Sequence, residues 1–287
     1  MLVFLNGRFV PEEKAVVSVF DRSFLYGDGL FETLRVYGGK PFCWPQHLER
    51  LQRGAEFLNL RLPFAPAALQ QFATELIEQN QMRESLLRIS LSRGVGPRGY
   101  SPTGAEQPIL VMSLHPAPAS DLQQWRLVTS SVRLPAREPL AQFKTCNKLP
   151  QILARAEAEA AGADEGLLLN TDGEVAEAAS SNLFWIQNNV ICTPPLASGI
   201  LAGVTRAVVL ALCQALGVAT RQLGILPKAL LHTDAIFLSL SSLGVVEAVS
   251  LDGHSLRQSP LVAQIRQAYA AQMELTMSND QRMTKPQ

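Results

Sequence analysis

Apolar and polar positions recur with two different periods along the first half of the chain. Runs with a period of two predict strands, and apolar residues at spacings of three and four predict helices. Asn6-Gly7 between two short apolar runs is a strong hairpin signal, and Gly38-Gly39 predicts a second turn. The predicted elements are strands at 3–5, 8–10, 30–37, 41–44, 85–92 and 108–114 and helices over 48–58 and 67–79.

The second half continues this mixture of strands and helices. Thr171-Asp172-Gly173 and Asn188-Asn189 predict the tight turns of two hairpins. The predicted elements are strands at 125–132, 166–169, 174–176, 182–186, 190–192, 235–240 and 245–251 and helices over 149–161, 205–216 and 261–275. One side of the helix at 149–161 is apolar and is formed by Leu149, Ile152, Leu153, Ala156 and Ala160.

A stiff segment separates the two halves. His115-Pro116-Ala117-Pro118-Ala119 contains two prolines, which cannot donate to a strand ladder. We therefore predict an α+β protein of two domains. The predicted parts are a smaller N-terminal domain at 1–115, a linker at 116–120, a larger C-terminal domain at 121–276 and a polar, disordered tail at 277–287.

Composition narrows the class of protein. Of 287 residues 47% are hydrophobic and 17% are charged, and the 25 basic and 25 acidic residues cancel. A neutral chain without long runs of one sign lacks the general charge that binds nucleic acid or an anionic membrane. The N-terminus has no basic region before its apolar run, and no apolar run approaches the ~20 residues of a membrane span. We therefore predict a cytoplasmic protein.

Cysteine and histidine usage argues against a disulfide framework and against a metal site. These residues are spread along the chain without the paired spacing of zinc ligands. They are Cys43, Cys146, Cys192 and Cys213, and His47, His115, His232 and His254. Reduced thiols of this kind are typical of cytosolic proteins.

The candidate chemistry lies between Gln142 and Ile186. Lys144 follows an apolar residue, which suggests a partly buried strand. Desolvation lowers the pKa of a lysine in such a strand, and this favours the neutral, nucleophilic amine. Such an amine forms a Schiff base with the aldehyde of pyridoxal phosphate. Glu177 lies in a run of small residues that would admit a flat ring, and its carboxylate would keep a pyridine nitrogen protonated. A surface lysine and a solvated hairpin carboxylate would produce the same local patterns.

Two further segments could bind the phosphate of such a cofactor. Residues 199–206 lead into a helix, whose first N–H groups bind phosphate where glycine permits a close approach. Thr205 is a candidate N-cap of that helix. Arg50 lies on the polar shoulder of its helix and could donate two parallel hydrogen bonds to phosphate oxygens. A simple capped helix and a surface ion pair are the alternatives.

Five motifs follow one another in a recognisable order. They are Tyr26-Gly27-Asp28-Gly29-Leu30-Phe31-Glu32-Thr33, His47-Leu48-Glu49-Arg50-Leu51, Lys144-Thr145-Cys146-Asn147, Glu177 with Ser180-Ser181-Asn182-Leu183-Phe184, and 201–206. Together they resemble the fold-type IV pyridoxal-phosphate enzymes. That family includes branched-chain, D-amino acid and R-selective amine aminotransferases and 4-amino-4-deoxychorismate lyases. The resemblance runs from Asn6 to about Val249.

The resemblance implies pyridoxal 5′-phosphate as cofactor and a role for each matching residue. Lys144 would carry the cofactor as a Schiff base and move protons, and Glu177 would face the ring nitrogen. The other cofactor-binding residues would be Arg50, Val204, Thr205 and Ser241 for the phosphate and Leu201 for the ring. The resemblance also implies a β-barrel-like core in the larger domain. It further implies a homodimer whose active site lies between the two domains and is closed by a loop of the partner.

The loop at 92–101 and the approach to Lys144 are most similar to the 4-amino-4-deoxychorismate lyases. The two glycines that usually follow this lysine in branched-chain aminotransferases are absent. The resemblance therefore favours a lyase that releases pyruvate and 4-aminobenzoate, a reaction of folate biosynthesis. The small-molecule amino substrate would meet Phe31, Arg98, Tyr100 and Ser242.

An aminotransferase is the alternative. It would pass the amino group of a D-amino acid, a branched-chain amino acid or an R-amine to a 2-keto acid such as pyruvate or 2-oxoglutarate. Arg98 matches the arginine that contacts the substrate carboxylate in D-amino acid aminotransferases, although Tyr100 stands where those enzymes have a histidine. A non-catalytic binding protein on the same scaffold would be expected to lack the lysine or the acid, and both are present.

Overall fold

The computed structural model describes residues 1–119 and 124–281, with the backbone alone for 276–281. The end of the predicted linker and the start of the predicted second domain, at 120–123, lie outside the described residues. Residues 282–287 of the predicted tail also lie outside them. Among the described residues, no helix has both the length and the apolar character that a membrane crossing requires.

Contacts between Cα atoms divide the described residues into two compact units. The first comprises Met1–Pro118, Phe143–Asn147 and the described residues from Thr276 onwards, and the second comprises the described residues of Ala119–Gln142 and Lys148–Leu275. The short segment around Lys144 thus belongs to the first unit, although the predicted boundaries assign it to the second domain.

The first unit contains a six-stranded antiparallel sheet. Its strands are β1 (Leu2–Leu5), β2 (Arg8–Pro11), β3 (Gly29–Tyr37), β4 (Lys40–Pro41), β5 (Ser85–Ser92) and β6 (Ile109–Pro116). Their order in the sheet is β2-β1-β6-β5-β3-β4. Between β1 and β2, Asn6 and Gly7 have φ values of 44° and 89°, the left-handed conformations that a tight hairpin turn requires. The predicted hairpin is therefore confirmed.

Two helices, α2 (Trp44–Phe57) and α3 (Pro66–Asn80), pack on this sheet and enclose the core of the first unit. A short helix, α1 (Arg22–Tyr26), precedes β3 and contributes no residue to this core. Inward-facing strand residues such as Leu34, Leu87 and Leu114 are fully buried in this core. The strand predicted at 41–44 exists but covers only Lys40–Pro41, and α2 begins at Trp44. A proline in the first turn of α2 has the fixed φ that a helix start accepts.

The second unit contains nine strands in one mixed, curled sheet. They are β7 (Gln124–Leu134), β8 (Glu165–Asn170), β9 (Val175–Ala178), β10 (Asn182–Gln187), β11 (Val190–Thr193), β12 (Thr220–Gln222), β13 (Ala235–Leu240), β14 (Gly244–Leu251) and β15 (His254–Ser255). The order is β12-β11-β10-β13-β14-β7-β8-β9, with β15 paired to β14. The pairs β14–β7, β7–β8 and β11–β12 are parallel.

Besides a four-residue helix that was not predicted, the helices of the second unit differ from the prediction at two points. They are α4 (Leu149–Ala160), α5 (Val204–Ala215), α6 (Pro227–Leu230) and α7 (Pro260–Gln281). The first difference is that α7 continues to Gln281, beyond the predicted helix end at 275 and into the segment predicted as a disordered tail.

The second difference is that the apolar side of α4 is exposed. Leu149, Ile152 and Leu153 are exposed, whereas Ala154 and Ala158 are fully buried. Close packing explains why the small side faces inward, since a Cβ on Gly166 of β8 would lie 2.5 Å from the carbonyl oxygen of Ala154. Apolar periodicity finds the helix, but it does not reveal that the neighbouring strand admits only alanine.

Candidate active site

Lys144 lies in an irregular segment that runs beside β3 in the first unit. The N–H of Phe31 donates to the Lys144 carbonyl oxygen at 2.8 Å, and Thr145 forms an isolated bridge with Leu30. The strand predicted for Lys144 is therefore wrong, although these backbone contacts hold the residue in place. Its Nζ lies 4.7 Å from the centroid of the Phe31 ring, a position in which the ring attracts a cation.

The glycines at 27 and 29 are required by this arrangement. Gly27 ends α1 with a φ of 69°, and a Cβ there would lie 2.3 Å from Oδ1 of Asn147. A Cβ on Gly29 would lie 2.7 Å from the carbonyl oxygen of Leu91. Gly27 therefore admits the Asn147 side chain, and Gly29 admits the backbone of β5, close to the start of β3.

Glu32 holds two side chains of α2 inside the first unit. Its carboxylate accepts Nε and Nη2 of Arg50 at 2.8 and 2.6 Å and contacts Nδ1 of His47 at 2.7 Å. Burial by itself raises the pKa of Glu32, but Arg50 and His47 outweigh it and lower the pKa to about 2. All three side chains are buried, so the predicted polar position of Arg50 is wrong.

His47 is neutral near pH 7 because several influences act on it together. Burial lowers its pKa, the carboxylate of Glu32 opposes this shift, and the charges of Arg50 and Lys144 lower the pKa further. The imidazole therefore serves as a hydrogen-bonded spacer in this cluster. The cationic charge of α2 in this region comes from Arg50.

Arg88 is a half-buried cation that the sequence analysis missed. Its Cζ lies 3.9 Å from the centroid of the Phe31 ring, the same ring that Lys144 approaches. Its Nε donates to Ser90 Oγ at 3.2 Å, and no carboxylate of the described residues pairs with it. Burial lowers the pKa of Arg88. Strand register explains the placement, because Arg88 lies opposite Thr33 and shares a sheet face with Phe31.

In the second unit, Glu177 is held by donors from the segment before α5. Its Oε2 accepts the N–H of Leu201 at 2.9 Å and Nδ2 of Asn182 at 3.3 Å. The same amide nitrogen of Asn182 donates to the Leu201 carbonyl oxygen at 3.0 Å. Glu177 is only 8% exposed, which excludes a solvated hairpin carboxylate. Donors in this arrangement stabilise a charged carboxylate.

The N-terminus of α5 fits a phosphate. No side chain caps it, so the N–H groups of Val204 and Thr205 are not used by a cap. The N-cap is Gly203, and the prediction that Thr205 fills that position is wrong. Thr205 Oγ1 lies 3.4 Å from Ser241 Oγ, which adds two hydroxyls beside the helix end. A Cβ at Gly203 would lie 1.9 Å from Asn182 Oδ1, so only glycine permits this approach.

The predicted substrate residues lie in two loops. Arg98 and Tyr100 are in the exposed loop after β5, where Tyr100 is 88% exposed and meets the Tyr26 ring edge-on at a centroid distance of 5.7 Å. Ser242 lies in the turn between β13 and β14 of the second unit. Each unit thus gathers part of the predicted site. The first brings Phe31 and Lys144 together with Arg88, and the second groups Glu177 with Leu201.

Comparison with known proteins decides the family. The sequence profile described as amino-transferase class IV matches residues 29–251, most of the chain. The chain belongs to the class IV aminotransferases. These enzymes use pyridoxal 5′-phosphate, so this chain is a pyridoxal-phosphate-dependent enzyme, and the predicted family and cofactor are confirmed.

Relatives of this class IV aminotransferase have three different activities in their names. A provisionally named branched-chain-amino-acid aminotransferase of Methanocaldococcus jannaschii is 34% identical, over 88% of this chain and 88% of that protein. The D-alanine aminotransferase of Bacillus licheniformis is 30% identical, over 89% and 90% of the two chains. The aminodeoxychorismate lyase of Bacillus subtilis is 29% identical, over 88% of this chain and 87% of that protein.

Solved structures of related aminotransferases have the same fold. The branched-chain aminotransferase of Thermoproteus uzoniensis with norvaline has a TM-score of 0.89 at 29% identity, over 94% of this chain and 93% of that chain. The branched-chain amino acid aminotransferase of Escherichia coli has a TM-score of 0.87 at 26% identity, over 93% of this chain and 92% of that chain. These matches confirm the predicted fold class.

Proposed function

We propose that this class IV aminotransferase is a 4-amino-4-deoxychorismate lyase that releases pyruvate and leaves 4-aminobenzoate. The loop at 92–101 and the Bacillus subtilis relative support this activity. One observation supports a substrate that has carboxylates. Arg88 lies on the Phe31 ring, which Lys144 also approaches. A half-buried arginine without an acidic partner in the described residues favours an anion as its ligand. Aminodeoxychorismate carries two carboxylates, whereas a simple amine carries none.

The residues near the cofactor would divide the chemistry between them. Bound pyridoxal phosphate supplies an electron sink for the carbon that bears the amine. Lys144 would hold the cofactor, and its Nζ would take the proton from that carbon and deliver one to the departing enolpyruvyl group, which leaves as pyruvate. Glu177 would hold the proton on the pyridine nitrogen, because Leu201 and Asn182 fix its carboxylate.

The remaining predicted residues would bind and orient. The N–H groups at the start of α5 and the hydroxyl of Ser241 support a phosphate site there, and Leu201 would pack against the ring. Arg50 would add a charged donor from the first unit, oriented by its pairing with Glu32. The substrate would meet Phe31, Arg98, Tyr100 and Ser242.

The lyase assay tests the activity directly. The purified holoenzyme is given 4-amino-4-deoxychorismate, and pyruvate and 4-aminobenzoate are measured separately. We expect the two products in equal amounts from the wild type and neither from Lys144→Ala. Absence of both products at high enzyme concentration would contradict the proposed lyase activity.

A second candidate is an aminotransferase, favoured by the two named aminotransferase relatives and by Arg98 in the loop after β5. In this reaction Lys144 would move a proton from the α-carbon of the donor. A half-reaction with D-alanine, L-leucine or an R-amine should convert the visible absorption band of the cofactor to that of pyridoxamine phosphate. No spectral change with any donor would argue against this activity.

Substitution of Arg88 tests the substrate class. Arg88→Met removes the cation and keeps much of the packing on Phe31, so the KM for a carboxylate substrate should rise about tenfold or more while cofactor binding is unchanged. Arg83→Met is the matched control, because Arg83 is exposed and lies just before β5, the strand that carries Arg88. Equal KM values for the wild type and Arg88→Met would contradict a carboxylate at this position.

We also infer a homodimer in the cytoplasm. Exposed apolar side chains occur on α4 and, in the first unit, at Val16, Phe20 and Phe24, and surfaces of this kind are typical of interfaces. Light scattering at micromolar concentration should give twice the mass of the chain, and Ile152→Gln with Leu153→Gln should shift the protein toward monomer. A wild-type monomer would contradict the dimer. The four free cysteines support a reducing compartment.

A further inference from the structure

Buried charges fasten the loop after β5 to the segment before β3. Arg22 is 3% exposed, and its Nη1 and Nη2 donate to the carbonyl oxygens of Gly99 and Tyr100 at 2.9 and 3.2 Å. Its Nε donates to Oδ2 of Asp28 at 2.8 Å. One guanidinium therefore joins the tip of this loop to the acid of the 26–29 motif.

Arg93 connects the same carboxylate to the end of α2. Its Nε donates to Oδ2 of Asp28 at 2.8 Å, and its other nitrogens donate to the carbonyl oxygens of Asn59 and Leu58 at 3.1 and 2.9 Å. These carbonyls follow the C-terminus of α2, where the helix dipole favours a cation. The loop, the motif and α2 are thus joined through Asp28.

Two arginines share one carboxylate in this cluster, so backbone carbonyls must satisfy the remaining N–H groups. Burial raises the pKa of Asp28, but Arg93 and Arg22 outweigh it and lower the pKa, which keeps the carboxylate charged. Moving the loop would take the Gly99 and Tyr100 carbonyl oxygens away from the buried guanidinium of Arg22, which is costly. The cluster therefore favours a single loop geometry.

Backbone contacts reinforce the same attachment. The N–H of Arg22 donates to the Gly94 carbonyl oxygen at 2.9 Å, and the N–H of Gly99 donates to the hydroxyl of Tyr26 at 3.1 Å. These contacts hold the loop at Gly94 and Gly99. The side chains of Arg98 and Tyr100, on either side of Gly99, are exposed. This combination holds the backbone and leaves the two side chains available to a ligand.

We propose that Arg22, Asp28 and Arg93 are positioning residues that hold the loop at 94–100 so that Arg98 and Tyr100 meet the substrate. The inference rests on the proposed function, because it takes those two side chains as substrate-binding. A loop that is ordered before binding lowers the entropic cost of association. Loosening it should therefore raise KM and leave kcat nearly unchanged.

The test uses Arg22→Lys in the holoenzyme. Lysine keeps the charge but cannot reach Asp28 and both loop carbonyls from one nitrogen. Hydrogen–deuterium exchange of the peptide that covers 94–101 should become about tenfold faster, and the KM for the carboxylate substrate should rise about tenfold. The cofactor absorption band and kcat should stay unchanged. Arg126→Lys is the matched control, since Arg126 forms a bidentate pair with Asp164 but is 59% exposed.

The outcomes separate this inference from the proposed function. Unchanged exchange in Arg22→Lys overturns the positioning cluster, whatever the activity. Faster exchange with an unchanged KM overturns its link to the substrate. A wild type that turns over neither class of substrate refutes the proposed function, and the link to substrate falls with it. If Arg22→Lys loses the cofactor band, Asp28→Asn is measured instead and must give the same faster exchange and raised KM.

Discussion

Glu32 of the first unit and Glu177 of the second are buried carboxylates with different donors around them. In the first, Glu32 is surrounded by charged or ionisable side chains, with Arg50 bidentate and His47 beside it. In the second, the donors to Glu177 include the backbone N–H of Leu201 and the side-chain amide of Asn182. The first arrangement pairs opposite charges, whereas the second includes a donor from the backbone before α5.

This difference predicts how each unit responds to substitution. Removing one member of a buried ion pair leaves the charge of its partner uncompensated, which costs more than losing a neutral hydrogen bond. Damage in the first unit should therefore appear as lost stability that depends on pH. Damage in the second should appear first in cofactor and proton chemistry, with smaller losses of stability.

The largest effect we expect is on Lys144. Lys144→Ala removes the proposed attachment and the proton carrier together, so turnover should fall at least ~10⁴-fold. The cofactor should still bind through its phosphate, with a changed visible band, as measured by absorbance after gel filtration. Lys228→Ala, at an exposed lysine of α6, is the control. If Lys144→Ala retained turnover, the assignment of Lys144 as the residue that holds the cofactor and moves protons would be wrong.

Glu177→Gln should have the next largest effect. The amide can still accept from Leu201 but cannot hold a full negative charge at the ring nitrogen, so turnover should fall about 10²- to 10³-fold. Steady-state kinetics measures the loss, and equilibrium binding should show cofactor affinity within a few-fold of the wild type. Glu159→Gln on the surface of α4 is the control. If Glu177→Gln were as active as this control, a residue other than Glu177 would have to pair with the ring nitrogen.

The sequence predicts strands better than it predicts which side of a helix is buried. β5 and β13 have the predicted bounds, because each is an apolar or alternating run that ends at turn residues. α1 was missed since five residues are too few for a helical period, and its signal is the cap by Asp21, which accepts two backbone N–H groups. The buried side of α4 depends on Gly166 of a neighbouring strand, which no local pattern reveals.

The same limit applies to the candidate site. Motifs single out Lys144 and Glu177, because the short segments around them match the family. Arg88 lies on the Phe31 ring through strand register, and the pairing of Glu32 with Arg50 joins a strand to a helix. Such contacts between distant segments require the fold, so the sequence analysis placed Arg50 on the polar shoulder of its helix without its buried partner Glu32.

Glu32→Gln should test the charge pairing of the first unit. Glu32 has a folded pKa of about 2, below the ordinary value of about 4.3. Its stabilisation is therefore complete above the ordinary pKa and is lost as the pH falls toward 2. Linkage over this difference gives about 3 kcal/mol, so the wild type should exceed the variant by about this much at pH 7 and by less at pH 3.

Chemical denaturation at the two pH values measures this difference. Glu84→Gln is the matched control, since Glu84 pairs with Arg35 in the same unit but is half exposed, and it should change stability by less than about 1 kcal/mol. A gap between the wild type and Glu32→Gln that is equal at pH 7 and pH 3 would show that charge is not its source.

The smallest effect we expect is from Asn182→Ala in the second unit. The variant loses the donations to Glu177 and to the Leu201 carbonyl oxygen, which should cost about 1 to 2 kcal/mol of unfolding free energy at any pH from 5 to 8. Gln187→Ala, at the exposed end of the same strand, is the control. Because both lost contacts involve a neutral donor, the cost should fall below that of Glu32→Gln at pH 7. If Asn182→Ala lost more unfolding free energy than Glu32→Gln, the comparison would be reversed. The amide of Asn182 would then stabilise the second unit more than the buried ion pair stabilises the first.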